Sequence, residues 1–248
     1  FASPLSDFNF YKGDLKMEFY SIAIDGPDAS GKSTAAKIIS KKLNFLYVDT
    51  GAMYRAVTLL MLEKGLDTRS REDAKSCLAY CDIKEDREGH VFLNDRDVTE
   101  RVRMDDVSSH VSYACAHQEV REKLVELQRK MAEGENVIMD GRDIGTVVLK
   151  DATLKVYQIA SAKARAERRH KENIEKNISS SSVEEIEKEI ERRDYIDSHR
   201  EISPLRKAED AIELDTSFLT IEEEVDAIIS LFRKRIGETK WKLLEQSR

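Results

Sequence analysis

Residues 21–37 read "SIAIDGPDASGKSTAAK": a β-branched apolar run, a glycine-bounded loop, a lysine with two hydroxyls, and an alanine-rich helical stretch. No other stretch constrains the fold as much. Gly26, Pro27, Asp28, Ala29, Ser30, Gly31, Lys32 and Ser33, with Thr34 behind them, satisfy the phosphate-binding loop pattern, with the strand before it and the helix after it that the pattern requires. Such a loop aims unpaired backbone N–H groups and a helix dipole at an anion. Lys32 is then set to reach the β and γ phosphates of a nucleotide, and Ser33 to put its hydroxyl on Mg²⁺.

The runs "FYSIAI" (19–24), "FLYV" (45–48), "NVIM" (136–139), "LKVYQIA" (154–160) and "AIEL" (211–214) alternate with helical stretches, which predicts an α/β fold with a parallel central sheet. They end at Asp25, Asp49, Asp140, Ser161 and Asp215, on the edge where open parallel sheets bind ligands. Two segments break the alternation. Residues 81–102 carry short alternating runs around Glu88-Gly89 and Asn94-Asp95, which predicts a small antiparallel insert. Residues 162–182 are basic at first and end in serines followed by glutamates, the pattern of a flap leading into a helix N-terminus.

A net charge of −7 over 248 residues argues against a nucleic-acid-binding surface, and no apolar run approaches the ~20 residues of a membrane helix. Any polyanion bound here is small and locally held. Cys77, Cys81 and Cys115 lack zinc-like spacing and read as packing residues in a reducing compartment, which predicts a cytoplasmic protein. Residues 1–16 have neither a basic start nor a long apolar run and read as a leader or tag-like tail; residues 238–248 read as a C-terminal tail.

A phosphate loop serves hydrolases and kinases alike, so the acceptor side decides. "VDTGAMYR" follows the second strand and turns Thr50 and Arg55 toward the loop; "MDGRDIGT" follows the third, with Asp140 beside the magnesium or its water shell and Arg142 and Asp143 in the same crevice. Two arginines from different strand ends are costly to leave unpaired and imply a second phosphate site. In "RRDYIDSHR", Arg193, Asp197 and Arg200 share one helix face. Spacing alone leaves open whether that face is a solvated salt-bridge row or part of the site.

From Met17 to Gly237 the chain resembles the bacterial cytidylate kinases, a branch of the P-loop nucleoside monophosphate kinases, through "IDGPDASGKST", "VDTGAMYR", "DGRDIGT", "RRDYIDSHREISPL" and "LDTS" in that order. The resemblance implies a three-layer P-loop NTPase fold over residues 17–237, with the antiparallel insert in the monophosphate-binding region and a helical lid. It implies a cytoplasmic monomer, binding neither nucleic acid nor membrane, that uses ATP and Mg²⁺ to convert CMP or dCMP to CDP or dCDP. It further implies that Arg55 and Arg142 grip the acceptor phosphate, that Thr50, Ser112, Arg121, Asp143 and Arg200 surround cytosine, and that Arg193 and Asp197 hold the sugar. Of the flap arginines Arg165, Arg168 and Arg169, the first and last are expected to join Lys32 and Arg142 at the transferring phosphoryl.

The chain departs from the family pattern at three places. Asp28 stands where relatives usually have a small neutral residue, so its carboxylate either meets the phosphates or turns outward. Ile196 stands where relatives can carry a basic residue. Ser112 and Arg121 would lie about 180° apart on one straight helix, so a break near His117-Gln118 is required for both to face one base. Rival readings are a kinase for dTMP or UMP and a nucleotide-binding switch; the switch reading for GTP lacks an N-K-x-D segment.

Overall fold

The computed structural model describes residues 19–175 and 180–246. The expected leader 1–16, residues 176–179 of the expected flap and the last two residues lie outside them. The chain opens with β1 (Ser21–Asp25), α1 (Lys32–Leu43), β2 (Leu46–Asp49), α2 (Thr50–Glu63) and α3 (Arg71–Leu78). The insert follows as β3 (Ile83–Glu85), β4 (Val91–Leu93) and β5 (Arg96–Asp97), then the short α4 (Asp105–Ser108) and α5 (Val111–Ala114), and the longer α6 (Gln118–Ala132). The second half holds β6 (Val137–Gly141), β7 (Leu154–Ile159), α7 (Ala162–Glu175), α8 (Val183–His199), β8 (Ile212–Asp215), α9 (Ile221–Ile236) and α10 (Glu238–Gln246).

The five long strands form one parallel sheet in the order β2-β6-β1-β7-β8, and the insert forms a separate antiparallel sheet, β3-β4-β5. The architecture is the α/β fold expected, with each strand within two residues of its predicted place. Alternation along β1 divides the core between the sheet's two faces. Ile22 and Ile24 pack with Ile39 of α1 and with Ile228 and Phe232 of α9, whereas Ala23 packs with Met53 of α2 and Leu124 of α6. The C-terminal stretch joins the first layer: Trp241 of α10 is buried and meets Phe232 edge-on at 6.4 Å.

Local chemistry sets the boundaries that matter for the site. Asn94 and Asp95 both have positive φ (51° and 62°), the tight hairpin turn that their residue types favour between β4 and β5. Ser182 and Glu185 form a reciprocal capping box that starts α8 at the serine-to-glutamate junction predicted for it. His117, at φ −74° and ψ 131°, is extended between α5 and α6, which supplies the required break without a proline. Cys77 on α3, Cys81 just past it and Cys115 are all free and buried.

Candidate active site

At the carboxyl edge of β1 the loop turns back on itself through Gly26, Ala29 and Gly31, with φ of 155°, 56° and 101°. A Cβ at Gly31 would enter the left-handed region and lie 2.8 Å from a Glu224 carboxylate oxygen, so only glycine fits without strain. Glu224 is 2% exposed and accepts from Gln158 Nε2 at 2.6 Å, a buried floor under the loop that sequence reading missed. Its partner is 66 residues away in the chain, and no local pattern marks the pair. Thr216, of the "LDTS" stretch, braces the same loop by donating to Ser30 O at 3.0 Å.

Lys32 opens α1 and is folded back on the loop, donating to Pro27 O at 2.5 Å and to Ser30 Oγ at 3.1 Å. Burial, then the nearby Arg142 charge, pushes its ammonium down to about 7, against the opposing pull of Asp140, Asp28 and Asp25. Ser33 donates to Asp140 Oδ2 at 2.7 Å, and Tyr47 donates to Asp140 Oδ1 at 2.7 Å. Burial, reinforced by Asp49, raises the Asp140 carboxyl above its ordinary value. A hydroxyl and one charge-starved carboxylate in contact fit Mg²⁺, which takes few protein ligands and fills its shell with water and phosphate oxygens. Among the described residues there is no cluster of three or more His, Cys, Asp or Glu side chains suited to a metal.

The loop residues 28–34 line a cleft of about 930 Å³ that also receives Asp140, Arg142, Arg168 and Arg169. Arg103, a residue without a sequence signal, enters it too and donates to Asp49 Oδ2 at 2.8 Å. A smaller cavity adjoins it through Arg55 and Arg142, and all nine residues expected around CMP line that cavity: Thr50, Arg55, Ser112, Arg121, Arg142, Asp143, Arg193, Asp197 and Arg200. Arg193 and Asp197 are buried at 5% and 4% exposure, so the "RRDYIDSHR" face is no solvated salt-bridge row.

Inside the cavity the charges pair. Arg121 donates to Asp143 Oδ2 at 2.5 Å, with its guanidinium 5.1 Å from the Tyr54 ring centre. Arg142 Nε donates to Asp197 Oδ2 at 2.9 Å, and Arg200 stands 3.7 Å from Asp197 and 3.9 Å from Asp143. Burial would raise the Asp197 carboxyl, but Arg142, Arg200 and Arg193 hold it below its ordinary value.

The flap helices divide their arginines. Arg169 reaches the cleft and donates to Asp28 Oδ2 at 3.2 Å; Arg168 lines the cleft as well and bonds the Thr216 carbonyl. Arg165, expected at the transferring phosphoryl, is spent on protein: it donates to Ala160 O at 3.0 Å, Asp28 O at 3.1 Å and Asp194 Oδ2 at 2.6 Å. Asp28 does not turn outward. It is 6% exposed, with its carboxylate 2.7 Å from Arg193, 3.2 Å from Arg169, 3.5 Å from Arg142 and 3.9 Å from Arg55.

Residues 22–234 match the family model described as cytidylate kinase. A cytidylate kinase from Geobacillus sp. (strain WCH70) is 50% identical over 87% of this chain and 97% of its own length. One from Oceanobacillus iheyensis is 49% identical over 85% of this chain and 92% of its own. Among solved structures, a gluconokinase from Sinorhizobium meliloti 1021 aligns with a TM-score of 0.48 at 12% identity, over 92% of this chain and 98% of its own.

Proposed function

The chain belongs to the cytidylate kinase family, and on that premise we propose that it transfers the γ-phosphoryl of ATP to CMP or dCMP, giving ADP and CDP or dCDP. The observation that carries the reading is the cavity lined by all nine expected acceptor residues, joined to the loop cleft by Arg55 and Arg142. Donor and acceptor phosphates would meet at those two guanidiniums. Cytosine offers an N4 amino donor beside the N3 and O2 acceptors, so the Arg121–Asp143 pair supplies both a carboxylate and a donor to read it. Uracil presents an acceptor at position 4 and would face the Asp143 carboxylate unpaired.

The loop N–H groups and Lys32 hold the donor phosphates, and Thr50, Ser112 and Arg200 complete the base pocket with Arg121 and Asp143. Arg193 and Asp197 take the sugar. Ser33 and Asp140 would hold Mg²⁺, which when bound supplies positive charge against the phosphate oxygens. A CMP phosphate oxygen then attacks the γ-phosphorus in line. The side chains contribute positioning and neutralisation of charge rather than covalent chemistry. Lys32, Arg142 and Arg169 are the cations for that task, while Arg165 ties the first flap helix to the loop. Closure of α7 and α8 over ATP would exclude water, the competing acceptor.

No helix among the described residues is long and apolar enough to cross a membrane. We assign the enzyme to the cytoplasm as a monomer. The test is ADP release from ATP and Mg²⁺ with CMP, dCMP, UMP, dTMP and AMP offered singly. Strong stimulation by CMP and dCMP over the others is the expected result; preference for another monophosphate would remove the base-pocket assignment, and release independent of any monophosphate would remove the kinase reading.

A further inference from the structure

Asp28 is the one acidic residue of the loop 26–34, and it lies at the centre of the arginine cluster. Its four partners come from α2 (Arg55), the turn after β6 (Arg142), α7 (Arg169) and α8 (Arg193), so one carboxylate ties the loop to both flap helices and to the acceptor side. We propose that the Asp28 carboxylate is an internal stand-in for the acceptor phosphate: it holds these arginines in place while the site is empty and yields them when CMP arrives. This rests on the kinase reading above.

Three observations support it. The Asp28 carboxylate serves its four guanidiniums unequally: the contacts lengthen from 2.7 Å at Arg193 to 3.9 Å at Arg55, which is beyond hydrogen-bond range. The Nε atoms of Arg55, Arg169 and Arg193 are buried without a hydrogen-bond partner among the described residues, although Arg169 Nε stands 3.9 Å from Glu172, so the cluster holds donor capacity that a phosphate with three free oxygens could use. Finally, the carboxylates within 4 Å of the four arginines are Asp28, Asp197 and Glu172, so positive charge remains in the cluster for an anion to meet. Burial alone would raise the Asp28 carboxyl, yet Arg193, Arg169, Arg142 and Arg55 hold it well below the usual range, so it is an anion at neutral pH. A second anion cannot share that point without displacing it. Asp28 is on this account a positioning residue that competes with the acceptor.

The experiment compares the parent with Asp28→Ala and Asp28→Asn, using inorganic phosphate as the probe in thermal-melt titrations and CMP in steady-state kinetics. Removing the internal anion is expected to lower the phosphate dissociation constant and the KM for CMP by about tenfold, from loss of the competing charge. Both variants should melt lower than the parent without phosphate and recover more than the parent gains when phosphate is added. Phosphate affinity unchanged or weakened in a variant that remains folded would overturn the proposal. So would tighter phosphate binding with no fall in the KM for CMP, because the displaced anion would then not be the acceptor's. If Asp28→Ala folds neither with nor without phosphate, the isosteric Asp28→Asn decides by the same criteria. A parent that does not turn over CMP at all removes the kinase reading instead, and the phosphate arm still judges whether Asp28 is displaced.

Discussion

The proposed donor and acceptor halves of the cleft are built on opposite plans. The donor half is nine consecutive residues, 26–34, whose binding groups are mostly backbone N–H at the start of α1, held by glycine conformations and a buried floor. The acceptor half is nine side chains from α2, α5, α6, the turn after β6, and α8 with its C-cap, the charged ones largely held by ion pairs among themselves. A local loop can fail only at the residues that shape it, whereas the acceptor side fails wherever one charge loses its partner. Breaking a buried pair by truncating one member costs ~3–5 kcal/mol, since the other charge is left stranded.

The contrast orders the expected effects. Lys32→Ala should lower kcat by about a thousandfold, the scale of losing a donor aimed at developing charge, and leave the KM for CMP near the parent value. A collapse of CMP binding in that variant would break the separation of the two halves. Arg142→Ala should raise the KM for CMP by about a hundredfold, because Arg142 is both a proposed phosphate ligand and the 2.9 Å partner of Asp197. It should also lower the melting temperature, which Lys32→Ala should not, since Lys32 is a desolvated cation whose loss relieves a burial cost. Arg121→Met should cut the preference for CMP over UMP by about tenfold, read from kcat/KM for each, because Asp143 then loses its 2.5 Å partner and its orientation.

The same contrast explains what was legible beforehand. Gly31, Lys32 and Ser33 could be read because the pattern that marks them is contiguous in sequence, even though Ser33 meets Asp140 and Gly31 backs onto Glu224. So could the Asn94-Asp95 turn and the capped start of α8, both set within four residues. The break at His117 was legible by a different route, since Ser112 and Arg121 cannot share a face otherwise. Asp28 was not: the direction of its side chain is decided by arginines 55, 142, 169 and 193, and a carboxylate in a phosphate loop gives no local sign of them. Arg103 escaped for the same reason, its partner Asp49 lying 54 residues away, and Arg165 looked interchangeable with Arg169 until Asp194 and Ala160 were seen to claim it.

The smallest expected effect separates the halves by protons rather than by rate. Guanidiniums stay charged throughout the working range, so the acceptor cluster binds an anion without taking up a proton. Lys32 differs, because burial lowers it to about 7 from an ordinary 10.5. At pH 8 the empty enzyme therefore holds this amine mostly neutral, and a triphosphate brought against it restores the charge. ATP binding should take up close to one proton at pH 8 and far less at pH 6, where the amine is already charged, as read from calorimetry in buffers of different ionisation enthalpy. CMP binding at pH 8, where its phosphate is already a dianion, should take up almost none. The sign for stability follows from the same shift. Between pH 7 and 10.5 the unfolded chain holds more protons on Lys32 than the folded one, so ligand-free stability contributed by this residue rises with pH across that window. Lys32→Met should flatten both dependences. Equal proton uptake for ATP in Lys32→Met and the parent would move the titrating group elsewhere in the donor half, and uptake on CMP binding would place one among the acceptor residues.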